Sequence, residues 1–359
     1  MARDLRKASR LRNEYSQLLV PVIAIVALVV FNLIRDPSFF SISLTVNNEG
    51  NHVLTGNLIS ILNGASELAI LAMGMTLVTA ASGGQDISVG ATAAIAGSVF
   101  VKVLRNSASI TPLTIIIGFV VCVVVSIIFG AFNGTLVAIF NIQPMIATLI
   151  LFTCGRSIAY WINGGATPTV SSSILKAIGG FIPGIPVPTP VFIVILCAVI
   201  FAVIFRFTNL SFYTQAVGIN QQAARLNGIN STWIKLLAFM ILGICVAVAG
   251  CIRVSRLGLI NHETILAEIE MDAILAVAIG GNALNGGKFK MSGSVIGAYT
   301  IQALTTTLYA MKVSSSEIKA YKAIVIIILV VIGSPVVKDA AARLRARLVR
   351  KTAPVAERS

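Results

Sequence analysis

Apolar runs closed by charged residues, glycine or proline follow one another along most of this chain. A helix needs about 20 mostly apolar residues to cross the hydrocarbon of a bilayer. Ten such runs stand out: 18–34, 58–80, 87–104, 113–140, 144–162, 190–207, 233–252, 272–284, 292–311 and 320–337. They predict an all-α integral membrane protein of about ten transmembrane helices, with one membrane domain over 18–337 between short tails at 1–17 and 338–359. The eighth run is short and ends in glycine, and the fourth is long enough to hold a break near Gly130–Gly134. Basic residues precede the first run, as in a signal peptide. However, Ile34-Arg35-Asp36-Pro37 offers no small-residue cleavage site, so this run is expected to be retained.

Composition narrows the class. Of 359 residues, 57% are hydrophobic and 11% are charged, against about 25% charged in ordinary soluble domains. Mean hydropathy is +0.93. A water-soluble enzyme is thereby excluded. The net charge of +14 comes from 27 Lys and Arg against 13 Asp and Glu. These charges sit between apolar runs and form no basic domain, so they argue for cationic loops kept on the cytoplasmic side rather than for nucleic acid. With the N-terminus inside and ten spans threaded, 17 of the 27 cations fall inside, nine outside and Arg156 within a run. Both termini are then cytoplasmic. The five cysteines form no C-x-x-C pair and lie in or beside apolar runs, which predicts neither a disulfide framework nor zinc. His52 and His262 are the only histidines, which leaves little for a catalytic triad or a metal site.

Three connecting segments are long. Residues 35–57 are polar, and 163–189 carry the repeated prolines of Ile182-Pro183-Gly184-Ile185-Pro186-Val187-Pro188. Proline does not sit in a helix interior, so the second is expected as an extended or partly helical cap on the outer face. The third, 208–232, faces the cytoplasm. There Gly218 should break the chain, Asn220 can cap, Gln221 to Leu226 form helices well, and Gly228 stops the helix. The product is a short helix outside the membrane, either a plain connector or a piece that fits a partner's groove.

No nucleotide site is expected in this chain. Gly281–Phe289 has a faint look of a phosphate loop, but Asn282 stands where glycine is needed and Phe289 where a hydroxyl should bind magnesium. His262-Glu263 lacks a second histidine at 266. Catalytic and metal-binding residues are therefore expected to be absent.

The inner loop gives the chain a family likeness. Ala216-Val217-Gly218-Ile219-Asn220, followed by Ala223-Ala224-Arg225-Leu226-Asn227-Gly228-Ile229, resembles the sugar-importing permeases of ATP-binding-cassette systems, the ribose/xylose/galactoside family. Other stretches match in order. Gly74-Met75-Thr76-Leu77-Val78 leads to Gly83-Gly84-Gln85-Asp86-Ile87-Ser88-Val89-Gly90. Asn133-Gly134 leads to Ile142-Gln143-Pro144-Met145-Ile146-Ala147-Thr148-Leu149 and Gly155-Arg156. Glu270-Met271-Asp272-Ala273-Ile274 leads to Gly280-Gly281 and Gly286-Gly287. The likeness covers nearly all of the chain from residue 58 and looks closest to the galactofuranose-type branch. Departures are Gln85, Asn282 to Asn285, Lys288, and the loop 253–270 with Asn261-His262-Glu263, which matches no family pattern.

The resemblance implies an ABC importer permease fold in a bacterial cytoplasmic (inner) membrane. It also implies a second permease copy or paralogue, cytoplasmic ATP-binding subunits as two chains or one fused ATPase, and an external sugar-binding protein. ATP and magnesium would be bound by the ATPase, with no cofactor in this chain. Ala216, Gly218, Asn220, Gln221, Ala223, Ala224, Arg225, Leu226 and Gly228 would couple to that ATPase, and the permeases would work by alternating access.

Charges within a span cost about 2.5–3.5 kcal/mol each on insertion scales, so they face protein or water. On that ground Glu67, Asp86 and Arg156 are candidates for the translocation path, with the neutral Asn63, Asn133, Gln143 and Thr148; Asn163 is a further polar group of this kind. The plainer reading makes Asp86 a helix cap, Arg156 a buried partner and the amides interhelical glue. Gly130–Gly134 and Gly293–Gly297 have the spacing for close helix contact, within the chain or across a dimer. Outer Lys176, Arg253 and Arg256 could pair with carboxylates of the binding protein, or be merely solvated. A gradient-driven sugar symporter is the main alternative, but few carboxylates lie within the apolar runs. A membrane-embedded enzyme lacks a nucleophile–base set.

Overall fold

A computed structural model describes residues 21–46 and 50–333. The expected tails at 1–17 and 338–359 lie outside these residues, as does 47–49 of the first outer segment. The described chain runs α1 (Pro21–Arg35), β1 (Ser43–Val46), β2 (His52–Thr55), α2 (Asn57–Ser82), α3 (Val89–Arg105), α4 (Pro112–Ala138), α5 (Pro144–Ile162), α6 (Ser173–Gly179), α7 (Thr189–Phe207), α8 (Leu210–Ile219), α9 (Gln221–Leu226), α10 (Ser231–Leu257), α11 (Ile269–Ile279), α12 (Met291–Ala310) and α13 (Ser315–Gly333). Five of these helices, α2, α4, α5, α7 and α10, are long and apolar enough to cross a membrane. The protein is therefore a mostly helical multi-pass chain.

Position in the bundle inverts the rule for soluble proteins. The two most apolar of the five, α4 and α7, stand largely exposed, whereas α2 and α10 are the most buried. Every residue of α2 from Ala65 to Ala81 is buried, as is every residue of α3 from Val89 to Ser98. Lipid tails are as apolar as leucine, so hydrocarbon gives apolar side chains no reason to turn inward; what belongs inside is small or polar.

Glycines set the closest crossings. A Cβ at Gly130 of α4 would strike the Phe239 carbonyl of α10, and one at Gly243 of α10 would strike the Ser126 carbonyl of α4. Gly134 packs on Leu236 and Phe239 in the same seam. Gly293 and Gly297 of α12 meet Gly280 and Ala276 along α11. Both small-residue pairs thus serve packing within the chain.

Several elements differ from expectation. The fold is not purely helical, since β1 and β2 form an antiparallel hairpin with Ser43 opposite Thr55. Its Leu54 amide donates to the Pro186 carbonyl at 2.9 Å, which joins the two outer segments. The proline-rich segment is partly helical, as α6, and partly extended, through bridges Thr169–Leu259 and Phe181–Pro188. No break occurs near Gly130; α4 is continuous, because its glycines serve close approach and keep helical geometry. The eighth run resolves into α11, which starts at Ile269 and ends at Ile279. In the inner loop Gly218 lies inside α8, and the chain turns instead at Asn220, whose backbone is extended.

Gly130→Val and Gly243→Val should each destabilise the protein by about 1–3 kcal/mol, the usual cost of forcing extra atoms into a packed seam. Ile128→Val, on the exposed face of α4, should not. Thermal unfolding of the purified protein in detergent measures all three.

Candidate functional site

Three polar clusters that gather most of the candidate residues lie inside the bundle, and the short helix α9 lies outside it. The first cluster joins α2 to α10. Glu67 is fully buried, with 0% side-chain exposure, and faces two arginines from the last turns of α10. Arg253 Nε lies 3.2 Å from Glu67 Oε1, and Arg256 Nη1 lies 3.3 Å from it. Arg256 also donates through Nη2 to Asn63 Oδ1 at 2.8 Å and to the Asn63 carbonyl at 3.1 Å, and through Nε to the Gly179 carbonyl of α6 at 3.4 Å. The planar fork of arginine suits such divided bonding. Asn63 and Glu67, read as path candidates, and Arg253 and Arg256, read as docking candidates, are thus brought into one cluster. Lys176 lies apart on the exposed face of α6.

The second cluster fixes the turn between α2 and α3. Asp86 Oδ1 accepts from the Ser88 amide at 2.7 Å and from the Ser88 hydroxyl at 2.6 Å. Asn133 of α4 donates to Ser88 Oγ at 2.8 Å and to Asp86 Oδ2 at 3.3 Å. Thr148 of α5 accepts from the Ile87 amide at 3.2 Å. Asp86, Asn133 and Thr148 therefore meet in one buried knot tying α3, α4 and α5. Asp86 closes the turn before α3 and does not cap the helix itself, since the N-cap position is Ser88, without a side-chain cap bond. Gln85, a departure from the family pattern, donates to the Leu284 carbonyl at 2.9 Å and holds this turn to the loop before α12.

The third cluster is centred on Arg156 of α5. Its Nη1 donates to the carbonyls of His262, Glu263 and Ile265 at 2.7, 2.9 and 3.3 Å. The Glu270 carboxylate lies beside it, and both approach Gly90 of α3, where a Cβ would strike Glu270 Oε2. Gln143 joins none of these clusters and sits exposed at the start of α5. Asn163 donates to Ser98 Oγ at 2.9 Å, linking the end of α5 to the middle of α3.

Outside the bundle, α9 is short but firmly placed. Asn220 Oδ1 accepts from the Ala223 amide at 3.0 Å and caps it. Gly228, with φ +79°, ends the turn after it. Lys235 of α10 donates to Gln221 at 2.7 Å, and Arg225 donates to Ser231 Oγ at 2.6 Å. Gly218 rests against the Ala80 carbonyl near the end of α2 and the Gly287 amide. Leu226 is 90% exposed, and Ala223 is exposed beside it, with Ala216 half-buried in α8. Ala224 differs from its neighbours: it is buried and packs with the core.

Sequence reasoning missed Ser88, Ser98, Glu270 and Ser294 as partners. Thr76 of α2 donates to Ser294 Oγ of α12 at 2.7 Å, and Asn282 donates to the same oxygen at 2.8 Å. Serines in apolar runs carry little signal alone. Glu270 and Asn282 were visible, one as a charge beside an apolar run and the other as an unusual residue in a glycine turn.

The family described as branched-chain amino acid transport system / permease component matches residues 57–333. The chain belongs to this permease family. Among its relatives is a galactofuranose transporter permease protein of Escherichia coli strain K12, 36% identical over 87% of this permease and 88% of the relative. A fructose import permease protein of Bifidobacterium longum is 32% identical over 94% and 93%. A ribose import permease protein of Haemophilus influenzae is 34% identical over 86% and 90%. No solved structure matches the permease.

The asymmetry of the first cluster is testable. Arg256→Lys removes the fork that holds Asn63, Glu67 and Gly179 together, and should cost about 1.5–3 kcal/mol, as for hydrogen bonds to charged groups. Arg253→Lys, which disturbs only contacts to Glu67, should cost less. Chemical or thermal unfolding in detergent ranks the two.

Proposed function

We propose that this permease is the membrane subunit of an ATP-binding-cassette importer for a neutral simple sugar, a pentose or hexose, with galactofuranose among the candidates. An external binding protein delivers the sugar, and separate cytoplasmic ATP-binding subunits supply the energy. The sugar class rests on the named relatives, whose substrates are galactofuranose, fructose and ribose. A gradient-driven symporter finds no support among them.

The observation that carries the coupling is α9. It is an exposed helix outside the bundle, yet bonded to α10 through Gln221–Lys235 and Arg225–Ser231 and continuous with α8, whose Gly218 backs onto α2. A partner gripping the Leu226 face would move α10 with it. Alternating access then follows as a change in populations of two packings, driven by ATPase closure.

Threading supports ten crossings, by α1 to α5, α7 and α10 to α13. The start of α2 adjoins the hairpin, and its end adjoins Gly218 beside α9. The start of α10 adjoins α9, and its end joins the outer bridge at Leu259. On this arrangement both termini are cytoplasmic and the membrane is the bacterial inner membrane. A second permease copy or paralogue completes the path.

Leu226→Asp should leave the protein folded, since an exposed side chain rarely costs more than about 0.5 kcal/mol, but should abolish ATP-driven uptake. Leu226→Met should retain it. The assay is uptake of labelled galactose, ribose and fructose into proteoliposomes holding the permease, the ATPase and the binding protein. Uptake by the permease alone, driven by a sodium or proton gradient, would overturn the reading. Ala224→Asp is the wrong test, because it places a carboxylate against the core instead of on the docking face.

A further inference from the structure

The segment 261–268 connects α10 to α11, and it is wedged against α3 and α5 with one side left exposed. It leaves the outer side where the Ile260 amide donates to the Pro168 carbonyl at 3.1 Å. It then descends along α3. Ile260 and Ile265 meet Gly97, whereas the Leu266 carbonyl and Glu270 meet Gly90, seven residues deeper. Its backbone is not helical, and Leu266 and Glu268 have φ of +45° and +64°. Arg156 secures it through three carbonyls, six residues inside the end of α5.

The two sides of the segment differ. Ile265 and Leu266 are buried. The opposite side is turned out, with 78% exposure for the Glu263 side chain and 59% for Glu268, and with Thr264 and Ala267 exposed. Beside it, Thr153, Cys154 and Ser157 make an exposed polar strip on the outer half of α5.

Hydrocarbon cannot cover this surface. Non-helical backbone at the depth of crossing helices survives only where protein buries it or water lines it, and carboxylates there have the same requirement. A dry interface with another subunit is also disfavoured. Glu268 has Lys319 at 2.7 Å, whereas among the described residues Glu263 has the neighbouring His262, whose Nε2 lies 3.9 Å away. Stripping water from a carboxylate held only by one distant imidazole is expensive. What remains is an aqueous cavity.

We propose that the segment Asn261–Glu268 and the outer half of α5 form one wall of the water-filled translocation route, where Glu263 and Thr264 meet the passing solute. Resting on the sugar-import reading above, this assigns the wall a neutral polyhydroxyl ligand. The Glu263 carboxylate accepts hydrogen bonds from sugar hydroxyls and repels anions, and the Thr264 hydroxyl both donates and accepts. Arg156 is a positioning residue that holds the wall in place.

The test is cysteine accessibility in membranes carrying the complete importer, in a Cys154→Ala background. The probe is a charged, membrane-impermeant methanethiosulfonate. Thr264→Cys and Ala267→Cys should react about tenfold or more faster than Val199→Cys on the exposed face of α7, because a thiol ionises in water and not in hydrocarbon. Adding Arg156→Ala should expose a cysteine at buried Leu266 to the same probe, and Arg156→Lys should do so less. Thr264 and Ala267 cysteines as slow as Val199→Cys would overturn the wall. Labelling needs no knowledge of the cargo. A dry segment with sugar uptake intact sinks this inference alone, whereas normal labelling without sugar uptake sinks the sugar reading alone.

Discussion

Inside a bilayer, a polar group has no partner except another part of the protein. That constraint, more than apolar burial, organises this chain. Leucine gains nothing by leaving lipid, so the helices associate where backbones approach closely and where serine, threonine, asparagine and charged groups find one another. The Gly130–Gly243 seam of α4 and α10 is the first kind of contact, and Thr76–Ser294 between α2 and α12 is the second. The ion cluster at Glu67 is the costliest version. It is tolerated because Arg256 divides its donors among a carboxylate, an amide and two backbone carbonyls.

The same constraint explains what was legible in the sequence. The long apolar runs name the lipid-facing helices, because lipid selects only for apolar length; 113–140 and 190–207 correspond closely to α4 and α7. The short outer hairpin was not legible, since Ser43–Val46 and His52–Thr55 form strands of four residues with little period to read. Nor was the course of 261–268, because its place depends on Arg156, more than a hundred residues earlier. A charge in a run says that a partner exists and not which one. Glu67, Arg253 and Arg256 were each visible, but their meeting across α2 and α10 belongs to the fold. Around α9 the local signals sufficed for the cap and the stop, at Asn220 and Gly228. They did not show that Ala224 turns inward, because a six-residue helix has too few turns to reveal a buried face.

Two groups of helices emerge from these contacts. In one, α10 is clasped to α4 by glycines, to α2 at Gly74 against Leu242 and Cys245, and again to α2 by the Glu67 cluster. In the other, α11 and α12 are joined along Gly280–Gly293 and Ala276–Gly297. The groups meet along α2, which packs against both α11 and α12, and polar links there include Thr76–Ser294, Gln85–Leu284 and the Gly287 amide on Ala80.

This division bears on how a push at α9 would travel. Glycine seams transmit displacement because neither helix has side-chain slack to absorb it. With α9 bonded to α10, and α10 clasped to α2 at its middle and in its last turns, force applied at α9 reaches the arginine cluster at the far end of α10 without passing through a flexible element. The polar links to α11 and α12 are single hydrogen bonds, which exchange at little net cost when another donor or water is near. The segment 261–268 connects α10 of the first group to α11 of the second, while Arg156 of α5 grips its backbone. A wall placed at that joint would change shape as the groups shift, which is where a gated route requires its moving part.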